Sequence, residues 1–426
     1  MRLLFYNHAP EISGAERSLL ALAAHARAAG HDVALCAPRG PLADATTYEG
    51  IAFVPVAPLV LGRSRDPLVL ARYLVGTAQP LVDLARTVRR AHPDVVHANS
   101  IRSGLIAAMA LRLARPRPQL VVHARDALHD GALDRLTAVA LGREADVVVA
   151  ISRYVARSMG AKGTARVLHN AIDLERYRRD EAGGQALRCQ LGIPDAAPLL
   201  VVAAQLTPWK GQLDALDAFA LLRATHPDAH LVLAGDAKFT GKHRRYDTLA
   251  YRDALRARAA HPDLRGHAHV VGDIADVVAL YSAATLLVVP SWAEPFGRVV
   301  VEAMAAGCPV LATDAGGVPE IVTHGVDGWL VPPRDPAALA AALRCLLDAP
   351  ALRATLARNG RVTVQGRFSL TGYMAAMEGI WRDALRNDSI GYTLVSPTLR
   401  IGVEGTRGAA EREPLTEMNV LIDRGR

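Results

Sequence analysis

Several ingredients are scarce in this chain, and each scarcity removes a class of protein. Four cysteines, Cys36, Cys189, Cys308 and Cys345, are spread over 426 residues. None forms a C-x-x-C pair or sits beside a histidine at ligand spacing, so neither a disulfide framework nor a zinc site is expected. All four are expected to be small buried hydrophobes. No apolar run approaches the ~18 residues that span a bilayer. The N-terminal apolar stretch meets polar residues too soon for a secretory leader, which predicts a first strand and a cytoplasmic protein. There is no G-x-G-x-x-G, which argues against a dinucleotide oxidoreductase. No aspartate-rich metal motif stands at a nucleotide-binding edge, so no metal and no other cofactor is expected. Aromatic residues make up 5%, with no aromatic-studded basic motif of the RNA-binding kind, so no nucleic-acid partner is expected. No repeat of solenoid period is present.

What is abundant is apolar residue and alternation. Hydrophobic residues reach 51% and charged residues 21%, enough apolar material for large cores and too little charge for wholesale disorder. The length suits two α/β domains. Short β-branched runs, apolar on both parities, alternate with longer amphipathic stretches such as Glu16–Ala29 and Leu68–Arg90. That pattern predicts parallel strands covered on both faces, joined by right-handed crossovers into a doubly wound sheet.

The first series of strands is expected at Leu3–Tyr6, Asp32–Cys36, Ile51–Val56, Asp94–His97, Leu120–His123, Val147–Ile151 and Arg166–Leu168. The second is expected at Leu199–Ala204, His230–Ala234, His269–Val271, Thr285–Val289, Pro309–Ala312 and Trp329–Val331. Turn residues around Asp173–Gly192, with Gly183-Gly184 inside, predict an interdomain linker. The expected domains are therefore 1–180 and 181–368. A helix over Ser369–Arg386 is capped by Ser369 and crosses back to the first domain, and 387–426 is expected to be a flexible tail.

Charge is uneven. Residues 1–180 hold 24 Lys+Arg against 16 Asp+Glu, so the whole positive excess of the chain lies there. An Arg-rich composition explains this as well as a partner does. Among partners, the excess suits an anionic membrane surface or a phosphate-bearing acceptor.

The densest motif is Pro290-Ser-Trp-Ala-Glu294-Pro-Phe-Gly297-Arg298-Val-Val-Val-Glu302-Ala-Met-Ala-Ala-Gly307-Cys-Pro309. It follows a strand and opens a helix, where ligands of open α/β sheets bind and where a helix N-terminus favours a phosphate. Pro295 suits the first helical position, and the residue before a proline is held extended. Glu294 then faces the cleft from the helix mouth, while Glu302 lies inside the helix. Two such carboxylates can accept hydrogen bonds from two sets of hydroxyls, as sugar and ribose rings present. The plainer alternative makes Ser291-x-x-Glu294 a capping box and Glu302 a solvated helix residue.

Glu294-Pro-Phe-Gly297, Glu302-Ala-Met-Ala-x-Gly307-x-Pro309 and Gly316-Gly317-x-Pro319-Glu320 together resemble the retaining GT-B-fold glycosyltransferases of family 4, the group 1 glycosyl transferases. The resemblance extends to about residue 386. It implies two Rossmann-like domains facing across a cleft, a nucleotide diphosphate-sugar donor, and a glycan, lipid-linked or small-molecule acceptor. It also implies that Glu302 binds the donor ribose. Glu294 would bind the transferred sugar with the backbone at Phe296 and Gly297, and Val271-Gly272-Asp273-Ile274 would read the nucleobase through its backbone.

Thr207-Pro-Trp-Lys210-Gly211 follows another strand, and a lysine there can reach a diphosphate as a point charge. The resemblance places Lys210 on the donor β-phosphate, with Arg298 as a further cation for the leaving group. Family members carry an arginine five residues before that lysine, whereas this chain has Gln205, which offers a hydrogen bond without charge. Gly14, in Ile12-Ser13-Gly14-Ala15-Glu16, admits a diphosphate to a helix N-terminus, and Ser13-x-x-Glu16 is also a capping box. His123 and His97 both close strands. The resemblance sets His123 beside the reacting sugar, while His97, Arg125 and Asp126 are acceptor-side candidates. Lys238, Lys242, His243, Arg244 and Arg245 crowd the loop after Gly235-Asp236, as a solvated basic loop or a phosphate clamp.

Other readings stay open at this level: a phosphorylase or an epimerase of the same fold, and a non-catalytic sugar-nucleotide-binding paralogue, which Gln205 alone favours.

Overall fold

The computed structural model describes residues 1–59, 67–129, 131–160, 165–238 and 246–386, without the side chains of 67–75. The expected tail and Lys242, His243, Arg244 and Arg245 lie outside the described residues.

The apolar runs become two parallel sheets. The first holds β1 (Arg2–Tyr6), β2 (Asp32–Ala37), β3 (Ala52–Pro55), β4 (Val95–Ala98), β5 (Gln119–Ala124), β6 (Val147–Ala150) and β7 (Ala165–Val167), in the order β3-β2-β1-β4-β5-β6-β7. The second holds β8 (Leu199–Ala203), β9 (His230–Ala234), β10 (Ala268–Gly272), β11 (Leu286–Val289), β12 (Val310–Thr313) and β13 (Trp329–Val331), in the order β10-β9-β8-β11-β12-β13. Strand order reverses between β1 and β4 in one sheet and between β8 and β11 in the other. Ligands bind at the carboxyl ends of strands beside such reversals.

Alternation sorts the core. In the first sheet Leu4, Tyr6, Val96, Val122 and Val148 point to one face. Leu3, Phe5, Val95, Val121 and Val149 point to the other, under the helix Leu370–Arg386. That helix buries Tyr373, Met374, Met377, Ile380 and Trp381 there, and Arg166 bonds Asp383 at 2.6 Å. The chain therefore crosses between domains twice. The two crossings lie side by side, where Ile172 N–H donates to Phe368 O at 3.1 Å.

Three expectations change. Gly183 and Gly184 do not loosen a linker: they lie inside the helix Glu181–Leu191, N-capped by Asp180. A Cβ on Gly184 would come within 2.8 Å of Ala283 N, so glycine is there for close helix contact. Pro295 is not in the helix, which runs Arg298–Ala305 from Gly297 at φ 108°. Cys189 and Cys345 are exposed, while Cys36 and Cys308 are buried as expected.

The far edge of the second sheet stacks three imidazoles. His230 lies 4.8 Å from His267 and 5.4 Å from His269, ring to ring. Burial first, then these two neighbours, holds His230 down to about 4. A lowered histidine stabilises the fold fully above its unfolded value near 6.5 and loses that contribution as pH falls through the folded one. His230→Gln should therefore be less stable than wild type at pH 7.5, and the gap should shrink as pH falls towards 4. Thermal midpoints of both proteins across that range check this; a gap independent of pH contradicts it.

Candidate functional site

The loops that leave β8, β11 and β12 meet at one edge of the second sheet, and close packing sets their shapes. Gly211, at φ 69°, follows the single turn Pro208–Lys210, and a Cβ there would overlap the carbonyl of Pro290. Gly316, at φ 67°, would likewise overlap the backbone of Glu294, and Gly317 N–H donates to Glu294 O at 2.7 Å. These approaches are open to glycine alone. They press the Lys210 and Glu294 loops together.

Lys210 Nζ sits 2.5 Å from Glu294 Oε2 and 4.2 Å from the centre of the Trp209 ring. Ser291 Oγ also donates to Glu294 Oε2, at 3.2 Å. Ser291 therefore serves the carboxylate and does not cap a helix. Glu302 is buried, not solvated. Its Oε1 receives Arg298 Nε at 3.3 Å and Nη2 at 3.0 Å, and its Oε2 receives the hydroxyl of Tyr281 at 3.0 Å. Burial and the adjacent Glu302 push Tyr281 well up, so it remains a proton donor.

The first domain closes the other side. Ser13 and Glu16 form the expected capping box at the helix Gly14–Ala28. Arg298 Nη1 reaches across to Gly14 O at 2.9 Å and Ser18 Oγ at 2.5 Å. Ser152 Oγ donates to Pro295 O at 2.6 Å. Glu320 accepts from the N–H groups of Arg153 and Tyr154 at 2.7 and 2.8 Å and lies 2.9 Å from His169 Nε2. The His169 ring stacks on Phe296, which is buried.

The strand-end histidines are both buried. His97 turns into the core, between Phe5 and Trp381, with Trp381 Nε1 donating to its Nδ1 at 3.1 Å. Burial, then Arg125, holds it near 3. This neutral imidazole packs under the last helix, and its Nε2 has no hydrogen-bond partner among the described residues. His123 is also buried, and burial, Arg125 and His97 keep it well below 6.5. Its Nε2 has no hydrogen-bond partner among the described residues. Arg125 is buried rather than presented at the surface. Its Nε donates to Asn99 Oδ1 at 2.7 Å and its Nη1 to Asn170 Oδ1 at 3.2 Å. Asp126 is exposed beside it.

Gln205 turns to the carbonyl of Lys238, at a weak 3.5 Å, and Lys238 pairs with Asp273 at 3.1 Å. Gly272, at φ 76°, gives its carbonyl to Gly235 N–H at 2.6 Å, between half-buried Val271 and Ile274. The structure thus gathers Lys210, Glu294, Arg298, Glu302 and Gly14. Gln205 and Ile274 lie on neighbouring loops, with Val271 and Gly272 at the end of β10.

Comparison with known proteins shows the family and the fold. Residues 185–363 match the model of glycosyl transferases group 1, and residues 12–176 match that of glycosyltransferase family 4. The chain is 32% identical to a D-inositol 3-phosphate glycosyltransferase of Streptomyces avermitilis, over 74% of this chain and 68% of that one. It is 30% identical to a glycogen synthase of Mycobacterium tuberculosis, over 88% and 92%. The chain belongs to the group 1 glycosyl transferases. HepE of Anabaena, solved in complex with UDP and glucose, superposes with a TM-score of 0.77 at 26% identity, over 90% of this chain and 99% of that one. The GT-B fold is thereby established.

Sequence reasoning missed several parts of this glycosyltransferase. Tyr281 lies mid-helix with no local signal. Asn7, Asn99 and Asn170 each follow a strand, and that shared placement was the available clue to the chain Glu16–Asn7–Asn99–Arg125. Glu320 stood in a quoted motif, but its partners come from the other domain.

Gly316→Ala should disrupt the Glu294 loop and cost several kcal/mol, since steric overlap adds to a positive φ (about 1–2 kcal/mol for the φ alone). Gly366→Ala, exposed in the helix Pro350–Arg367 with nothing within 4 Å of its added Cβ, should be neutral or gain up to ~1 kcal/mol. Denaturant melts of both variants check the contrast.

Proposed function

We propose that this glycosyltransferase moves a sugar from a nucleoside diphosphate-sugar, with retention and without a metal ion, onto a glycan or lipid-linked acceptor in polysaccharide assembly. The observation that carries the reading is the Lys210–Glu294 pair at 2.5 Å beside a Glu302 held by Arg298 and Tyr281. Both carboxylates keep free lone pairs for sugar and ribose hydroxyls. Lys210 and Arg298 supply positive charge where the leaving diphosphate gains negative charge, which is the reason to assign no metal. A carboxylate paired with a lysine and bonded by a serine is a poor nucleophile. The acceptor hydroxyl therefore attacks C1 on the leaving-group face as the bond from C1 to the diphosphate oxygen breaks, and its proton passes to the departing diphosphate. His123, at the end of β5 with an Nε2 that, like that of His97, has no partner among the described residues, is assigned to a substrate hydroxyl.

A lipid-linked acceptor finds support on the surface. No helix among the described residues is long and apolar enough to cross a membrane. The helix Ala132–Glu144, however, exposes Leu133 at 76% and Leu136 at 66%, with Arg135 and Arg143 on the same helix. We assign this face to an anionic lipid surface at the cytoplasmic side. Co-sedimentation with vesicles containing anionic lipid should weaken with added salt and be lost in Leu133→Ser/Leu136→Ser. Indifference to both contradicts the assignment.

A thermal-shift screen with UDP-glucose, GDP-mannose and ADP-glucose tests the donor. A ligand at about 100 times its dissociation constant should stabilise by roughly 2.7 kcal/mol. With the donor so found, Lys210→Ala should lower kcat/KM by about 10²–10³-fold, and Gln205→Ala by much less. A Lys210→Ala enzyme with wild-type rates would place the diphosphate elsewhere.

A further inference from the structure

Arg298 holds both halves of the molecule at once. Two of its nitrogens face Glu302 in the second domain, at 3.3 and 3.0 Å. The third donates to Gly14 O and Ser18 Oγ in the first domain, at 2.9 and 2.5 Å. Ser18 Oγ also donates to Gly14 O at 3.1 Å, closing a small ring of contacts. The guanidinium is planar and rigid, so the position of one end fixes the direction of the other. A Cβ on Gly14 would come within 3.3 Å of the Arg298 stem, so the loop closes tightly over it.

The geometry points to Arg298 as the positioning residue that couples donor binding in the second domain to closure of the first domain over it. This rests on the reading that Glu302 faces the donor ribose. With the domains together, Nη1 is anchored and the guanidinium cannot turn. Glu302, held at its other oxygen by Tyr281, then presents its remaining lone pairs in one orientation. With the domains apart, Nη1 loses both acceptors, Arg298 regains its rotamers, and Glu302 loses a fixed partner. A ligand that uses those lone pairs binds the closed form better, and by linkage it favours closure by the same factor.

Ser18 makes the coupling separable from direct donor contact, because Ser18→Ala leaves both carboxylates untouched. The test uses the full chain and whichever of UDP-glucose, GDP-mannose and ADP-glucose gives the largest thermal shift. Affinity and X-ray scattering with and without it are measured for Ser18→Ala, Arg298→Leu, Arg298→Lys, Glu302→Gln and the Ser18→Ala/Arg298→Leu pair. Arg298→Leu should weaken binding about 10-fold, within the usual range of coupling between sites, and abolish donor-induced compaction. Arg298→Lys keeps the charge without the fork and should also lose compaction. Ser18→Ala should weaken binding by a smaller factor, and the double variant should be no weaker than Arg298→Leu, as non-additivity requires of one chain of contacts. Additive effects, or a wild-type Ser18→Ala, overturn the coupling while the donor reading stands. A Glu302→Gln enzyme of wild-type affinity overturns the donor reading, and the coupling with it.

Discussion

Two buried carboxylates need counter-charges, and the site is arranged around that need. Glu294 and Glu302 are each 8% exposed. Removing the partner of a buried ion pair costs on the order of 3–5 kcal/mol, because the charge left behind has no solvent. The counter-charges come from different places. Lys210 arrives on the loop after β8, whereas Arg298 arrives one helical turn before Glu302 and is steadied by the first domain. Satisfying both carboxylates therefore requires three loops and two domains to take one arrangement.

The glycines follow from the same requirement. Lys210 can reach Glu294 only if its loop lies against Pro290, which Gly211 permits. Glu294 can stay in place only if the loop after β12 lies beneath it, which Gly316 and Gly317 permit. Their backbone freedom adds to the entropy that folding must overcome. That cost is met by a paired carboxylate and by the hydrogen bond from Gly317 to Glu294 O. Close approach, rather than flexibility, is what these motif glycines supply.

This distinction explains what was legible in the sequence. Strands buried on both faces read directly from runs such as Leu-Val-Leu-Ala and Val-Val-Val-Ala, so the doubly wound sheets were visible. Glu294 and Glu302 were visible because their spacing within a strand-to-helix motif is local. Gly183-Gly184 misled, since glycine for helix contact and glycine for a loop look alike until the neighbouring helix is known. The Trp381 partner of His97 was out of sight for the same reason, since it lies 284 residues away. Tyr281 and the partners of Glu320 are likewise long-range facts. Sequence spacing carries local chemistry, while orientation is decided by what packs from afar.

The segment from Glu294 to Arg298 belongs to both domains. On one flank Ser152 bonds Pro295 O and His169 stacks on Phe296; on the other Arg298 bonds Gly14 O. Glu320 strengthens the first flank. Burial works to raise its carboxyl, yet His169 and the N–H groups of Arg153 and Tyr154 overcome this and hold it below the ordinary carboxylate range. A lowered carboxyl contributes stability that is complete above its unfolded value and lost as pH falls through the folded one. The clasp is therefore intact at neutral pH. Parting the domains would therefore release the backbone on which Glu294 and Glu302 are mounted. Under the proposed function this matters, because a transferase gains when the groups that hold an activated sugar are set by the same contacts that bring the domains together.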